Sequence, residues 1–163
     1  MTNDFYYLSA EARQDQLVQI GRHSWLLVFG YFELAGQGYN WRKDYNHQPT
    51  KAELKSDIDT LINAETDAKI LSGYEWDGQT VWLSVENQLN YKTAYDLAVQ
   101  TSGATLPVTV KVGQEDAPTY VEFSSVNELG EFYMGAVTHI QGAQKAAWKE
   151  KDGVDYEQLT IKN

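Results

Sequence analysis

The chain has 163 residues, 42% of them hydrophobic and 13% aromatic, with three prolines and twelve scattered glycines; this supplies the core of one domain, or of one domain with an appendage, and excludes a disordered, collagen-like or low-complexity chain. Thirteen basic against twenty-three acidic residues leave a net charge of −10, which repels nucleic acid and anionic membranes and serves solubility, or an acidic face for a basic partner. There is no cysteine, hence no disulfide framework, thiolate nucleophile or zinc ribbon, in keeping with folding in a reducing cytoplasm.

Residues 1–5 have neither the basic start nor the apolar stretch of a secretory signal. The longest apolar run, residues 25–32, is far too short to span a bilayer as a helix, so no membrane insertion is expected. Ser9 as an N-cap, followed by the helix formers Ala10 to Gln14, predicts a short helix over 9–21 that Gly21 ends. Residues 25–34 favour a strand, and the turn Ala35-Gly36-Gln37-Gly38 leads into 39–45, which predicts a β-hairpin. Its first strand is apolar at both odd and even positions, which calls for burial on two faces or coverage by a partner.

Pro49 stops the extended segment, and Thr50-Lys51-Ala52-Glu53 is a capping box, so a helix begins near Lys51 with Leu54, Ile58, Leu61 and Ile62 on one face. It continues to Ile70 and Leu71, and Gly73 ends it. A second hairpin follows, with Tyr74-Glu75-Trp76 and Thr80-Val81-Trp82-Leu83 joined at Asp77-Gly78, a favoured dipeptide for a tight turn. Ser84 caps a helix over 85–100 that carries Tyr91, Tyr95 and Ala98 at helical spacing, and Gly103 closes it. Residues 105–112 read as a strand with Leu106, Val108 and Val110 facing one way and Thr109 and Lys111 the other. Its partner is 119–123, reached through 113–118. Ser125-Val126-Asn127-Glu128 is a second capping box, opening an amphipathic helix whose core face is Leu129, Phe132, Tyr133, Ala136, Val137, Ile140 and Ala147 with Trp148. Beyond Gly153 little demands burial.

Helices alternating with short hairpins, without parallel crossovers, define an α+β fold of antiparallel hairpins packed with three to four amphipathic helices. The expected organisation is an N-terminal helix and aromatic hairpin over 1–48, serving interaction, followed by a helix-hairpin-helix-hairpin-helix domain over 49–163. No repeat of fixed period is present.

The sequence offers no catalytic or metal-binding motif. His23, His47 and His139 are far apart, with no H-x-x-x-H pair. Gly36-Gln37-Gly38 lacks the third glycine and following helix of a dinucleotide loop, and no serine sits in a nucleophile elbow. Asp57 with Asp59, and Glu115 with Asp116, are the only carboxylate pairs worth weighing for acid–base work, and such sequence neighbours are usually solvated charges. No catalytic residue, metal ligand or cofactor is therefore expected.

The surplus is aromatic. Trp25, Phe29, Tyr31, Phe32, Tyr39, Trp41, Arg42 and Tyr45 crowd one hairpin, and Tyr, Trp and Arg dominate interface hot spots because they combine large contact area with a polar handle. Trp25, Phe29, Tyr31, Tyr39, Trp41, Arg42 and Tyr45 are the candidate protein-contact residues. Packing of a small sheet uses the same residues, and so does a glycan-binding platform.

The segments Pro49-Thr50-Lys51-Ala52-Glu53-Leu54, Ile62-Asn63, Ile70-Leu71-Ser72-Gly73-Tyr74-Glu75-Trp76, Val81-Trp82-Leu83-Ser84, Glu86-Asn87-Gln88, Asn90-Tyr91-Lys92 and Leu106-Pro107-Val108 follow one another in this order. On them, residues 50–156 resemble a phage- and prophage-encoded domain family of unknown function, found in tail-fibre-associated and other small phage proteins. The resemblance implies a viral structural or assembly setting and nothing catalytic. The resulting expectation is a virion structural protein of the tail, fibre or baseplate region, made in the host cytoplasm and not an enzyme. It would contact other phage structural proteins and form homo-oligomers. A fibre-assembly chaperone absent from the mature virion, and a head fibre or decoration protein, are the alternatives.

Overall fold

The computed structural model describes residues 4–159 and has the α+β architecture read from the sequence, antiparallel sheets with four helices. It divides into two compact units, one comprising the chain up to Ala64 together with the part from Trp148 onward, the other Glu65–Ala147. The boundaries thus fall inside two long helices, α1 (Lys51–Ser72) and α3 (Val126–Asp152), and not at the 48/49 junction expected from Pro49. The physical reason lies in α1, whose first half is bonded to the sheet that precedes it: Tyr45 Oη donates to Asp57 Oδ2 at 2.7 Å, and Lys43 Nζ lies 2.9 Å from Asp57 Oδ1.

The first unit is built on a four-stranded antiparallel sheet in the order β1-β4-β3-β2, with β1 (Tyr6–Ser9), β2 (Gln16–Gly21), β3 (Ser24–Leu34) and β4 (Gln37–Tyr45). The helix expected over 9–21 is absent, and those residues form the end of one edge strand, a crossing loop and the opposite edge strand. Tertiary bonds override local propensity here: Ala10 N–H donates to the Gly38 carbonyl at 2.9 Å, and Asp15 Oδ1 accepts the Gly30 N–H at 2.8 Å. The β3–β4 hairpin is confirmed, its two-residue turn taken by Ala35 and Gly36 at φ 51° and 78°, the left-handed pair that suits the twist of a tight hairpin. Phe5, Leu17, Trp25, Leu27, Phe29 and Tyr45 are buried on the face of the sheet that bonds α1, where Leu54, Ile58, Leu61 and Ile62 are also buried. The capping box forms at the start of α1, with Thr50 N–H donating to Glu53 at 2.8 Å and Glu53 N–H donating to Thr50 Oγ1 at 3.2 Å. Past Gly153 the chain is less idle than its composition suggests, since α4 (Tyr156–Leu159) buries Leu159. Trp148, expected on the core face of α3, is 59% exposed.

The second unit holds the hairpin β5 (Tyr74–Trp76) with β6 (Gln79–Val81), then α2 (Val85–Gln100), then the hairpin β7 (Val108–Gln114) with β8 (Ala117–Phe123). Asp77 and Gly78 take φ 48° and 72° in the first turn, as an Asp-Gly hairpin requires. Ser84 caps α2 by accepting the Asn87 N–H at 3.2 Å. The hairpin of β7 and β8 turns more tightly than the expected connection over 113–118, at Glu115-Asp116 alone. Phe132 is fully buried at the centre of this core, its ring 5.0 Å from Tyr91, 5.0 Å from Phe123 and 5.4 Å from Trp76. His139 of α3 is hydrogen-bonded to the Lys69 carbonyl at 2.9 Å, so its ring meets the end of α1.

Candidate interaction surface

The aromatic hairpin divides between core and surface according to strand register. In β4, Tyr39, Trp41, Lys43 and Tyr45 share one face of the sheet by alternation. Trp25 pairs with Tyr45 and Phe29 with Trp41, so the odd-numbered residues of β3 up to Phe29 share it as well. Between Phe29 and Phe32 the register shifts, β3 advancing three residues while β4 advances two, with Gly30 at φ 69°. This is a β-bulge, and it places Phe32 opposite Tyr39 on the face that Phe29 already occupies.

Four rings meet there. Phe32 stacks on Trp41 at 4.9 Å and on Tyr39 at 5.6 Å, with interplanar angles of 26° in both cases. Tyr7, reaching over from β1, stands edge-on to all three, 5.4 Å from Phe32, 5.1 Å from Tyr39 and 5.5 Å from Trp41. Edge-to-face contact presents the positive ring edge to the negative faces, and each such pair is worth about 0.5–1.5 kcal/mol beyond the area it buries. Tyr7 nevertheless stays 44% exposed. All four residues of β1 are exposed, and β1 is an outer strand of the sheet, so the ring cluster borders a row of backbone groups that no strand pairs among the described residues.

The candidate contact residues therefore separate into three groups. Tyr39 and Trp41 belong to the ring cluster. Trp25, Phe29 and Tyr45 lie largely in the sheet core, where Arg13 lies 5.2 Å over the Phe29 ring while pairing with Glu150 at 2.6 Å, and Tyr45 is held by Asp57. Burial and the Asp57 hydrogen bond push the Tyr45 hydroxyl far above its ordinary pKa. Tyr31 and Arg42 lie on the opposite face, Tyr31 across Gly38 and Arg42 opposite Tyr6 in β1. There, burial first and then the hydrogen bond to Asp44 raise the Tyr6 pKa. Tyr7 was not among the candidates, because reading 9–21 as a helix detached it from the sheet; the run Phe5-Tyr6-Tyr7-Leu8, all strand-favouring, was the available signal.

No acid–base pair is assembled from the carboxylates. Asp57 serves Lys43 and Tyr45, Asp59 pairs with Lys55 at 2.9 Å, and Glu115 and Asp116 sit in the exposed β7–β8 turn. Among the described residues no three His, Asp or Glu side chains gather as a metal site, and no helix is long and apolar enough to cross a membrane. No protein-family model, no curated protein and no solved structure matches the chain.

Proposed function

We propose that the protein is a structural component of a bacteriophage virion, in the tail, fibre or baseplate region, and that it works by protein–protein contact. The observation that carries the contact reading is the Tyr7–Phe32–Tyr39–Trp41 cluster beside the edge of β1 that no strand pairs among the described residues: stacked rings with accessible surface, next to such backbone groups, are what a protein partner uses. The viral setting is supported by the resemblance of residues 50–156 to the phage domain family.

Mass spectrometry of gradient-purified phage particles, with chain copy number counted against a capsid protein, tests the setting. The protein is expected at a fixed stoichiometry; its absence from particles overturns the virion reading and favours the assembly chaperone. Tyr7→Ser tests the surface, because it removes the most exposed ring of the cluster. This variant is expected to fold and to be under-represented in particles, and normal incorporation would remove the cluster from the proposal.

A further inference from the structure

The two outer strands of the first sheet are finished differently. β2 carries a register shift between Gln19 and Gly21, and α4 lies against it; both are ways in which a sheet edge is kept from pairing further. β1 has neither. Its register with β4 is unbroken from Tyr6 to Ser9, none of its four residues is charged or a proline, and all four are exposed, Leu8 by 48%. Among the described residues β4 is the only element that runs along it.

The hairpin sets the direction of the hydrogen bonds along β1. The two-residue turn at Ala35-Gly36 makes Leu34 and Gln37 a bonded pair, so odd-numbered residues of β4 bond to β3 and even-numbered ones turn to β1. The Ala10 N–H, donating to the Gly38 carbonyl at 2.9 Å, follows the same rule. Leu8 and Tyr6, opposite Asn40 and Arg42, therefore bond inward. By alternation the N–H and C=O groups of Tyr7 and Ser9 point away from the sheet.

We propose that β1 pairs with β1 of a second copy of this chain, antiparallel about a twofold axis at Tyr7, so that two four-stranded sheets become one continuous sheet. The pairing rests on the contact reading of the ring cluster and gives that surface its occupant. Three observations favour a second copy. A pairing centred on Tyr7 sets Tyr6 opposite Leu8 and Tyr7 opposite Tyr7, so each exposed apolar side chain of the edge meets another and no charge opposes a charge. The outward backbone groups also match one another: the two Tyr7 residues exchange a pair of hydrogen bonds, and Ser9 of each copy exchanges a pair with Phe5 of the other. Finally, each Tyr7 bears on its own Phe32, Tyr39 and Trp41, so the two ring clusters become continuous across the axis on one face. The contact uses up β1 of both copies while β2 is blunted, which closes the assembly at a dimer and prevents a filament.

Sedimentation of the full chain should give twice 18.5 kDa, and because each copy carries a charge of −10, added salt should tighten the dimer by screening their repulsion. Dilution should speed amide exchange at Tyr7 and Ser9 but not at Leu8 and Ala10, which are bonded within the chain. There is no cysteine, so a single introduced one bridges only two copies. Opposed Tyr7 Cα atoms of a bonded pair lie about 5.5 Å apart, inside the disulfide range of about 4.4–6.8 Å, so Tyr7→Cys should cross-link on mild oxidation. Leu8→Cys, whose two copies stand two residues out of step, should not. Leu8→Lys gives the edge the charge it lacks, on the face opposite the ring cluster, and should weaken dimerisation about tenfold or more. Should that variant fold poorly, Ser9→Pro removes only an outward N–H and should act in the same direction. A chain that stays monomeric at millimolar concentration, a dimer indifferent to both Leu8→Lys and Ser9→Pro, or cross-linking at Leu8 in place of Tyr7 would each overturn the proposal. A monomer whose Tyr7→Ser variant is still lost from particles also overturns it, and leaves the contact reading with another occupant. A dimer whose Tyr7→Ser variant enters particles normally sustains the pairing and removes the cluster from the virion reading.

Discussion

Asn40 is the sole polar residue among the described ones whose whole surface is buried, and its amide joins two segments of the first sheet: Nδ2 donates to the Ala12 carbonyl at 3.2 Å and also to the Gly30 carbonyl at the bulge, while Oδ1 has no hydrogen-bond partner among the described residues. Two carbonyls on one side fix the amide orientation, because only the nitrogen satisfies both. Asn40→Ala removes two donors, each worth about 1 kcal/mol net, and strands both carbonyls, yet it also relieves the orphaned oxygen. The expected net loss is about 2 kcal/mol. Asn40→Asp has nearly the same shape but sets a carboxylate against two carbonyl oxygens, and an uncompensated buried charge costs about 3–5 kcal/mol. Its penalty depends on pH with a definite sign. The folded-state pKa of that aspartate is raised above its unfolded value, so stability is retained below the unfolded pKa and lost as pH rises through the folded one. Urea unfolding followed by tryptophan fluorescence at pH 4 and pH 7 should place Asn40→Asp below Asn40→Ala at pH 7 and bring the two together at pH 4. Amide exchange at Ala10 and Gly30 should accelerate in both. Equal, pH-independent losses in the two variants would refute the bridging role.

Glu53 accepts hydrogen bonds from the Thr50 backbone N–H, the Thr50 hydroxyl and His47, which hold its carboxyl at about 2 against an ordinary 4.5. A depressed pKa stabilises above the unfolded value and is lost as pH falls through the folded one, so protection of the Thr50 amide should fade between pH 4.5 and about 2, and Glu53→Ala should abolish that dependence in an exchange experiment. Phe132→Ala, which empties the centre of the second core, should cost about 3–5 kcal/mol by urea unfolding; a loss below 1 kcal/mol would mean that its four aromatic neighbours, Tyr74, Trp76, Tyr91 and Phe123, are not packed around it. Gly38→Ala would bring a methyl to 2.5 Å from the Ala10 carbonyl and 2.3 Å from Tyr31 Oη. Backbone cannot rotate aside as a side chain can, so a loss of about 1–3 kcal/mol is expected, with faster exchange at Ala10.

Signals that act within a few residues were legible. Thr50 and Glu53, Ser84, Ser125 and Glu128, and Asp77-Gly78 all form the caps and turn that their types imply, because each is satisfied by atoms three or four residues away. What failed depended on distant partners. Ser9 to Gln14 has acceptable helix propensity, but Asp15 finds its donor at Gly30 and Ala10 its acceptor at Gly38. The stretch beyond Gly153 carries few apolar residues and so little that demands burial, and only the tertiary fold buries Leu159. Trp148 continued a periodic stripe along α3, and yet the stripe's burial stops at Ala147.

The candidate surface shows how one residue defeats a parity argument. Apolar side chains at both odd and even positions of β3 implied two faces to cover, and from that a partner for the second. The bulge at Gly30 changes the count: Phe29 and Phe32, of opposite parity, point the same way, since the extra residue is absorbed between them. Phe29 and Phe32 thus share one face, while Val28, of the other parity and ahead of the bulge, is buried on the second face, as the two-sided apolar pattern implied. The surplus aromatics extend one face past the rings buried with Phe29 to a cluster where Phe32 stacks between Tyr39 and Trp41 and Tyr7 covers them from an edge strand. The case for contact accordingly passes from aromatic abundance to position. Rings that end at a sheet edge, partly exposed and held by one another, are already ordered before a partner arrives, so their association loses less conformational entropy than free side chains would. If that preorganisation matters, Phe32→Leu, which unlocks the stack while keeping an apolar side chain, should weaken partner binding nearly as much as Tyr7→Ser; retention of full affinity in Phe32→Leu would leave exposed area alone as the determinant.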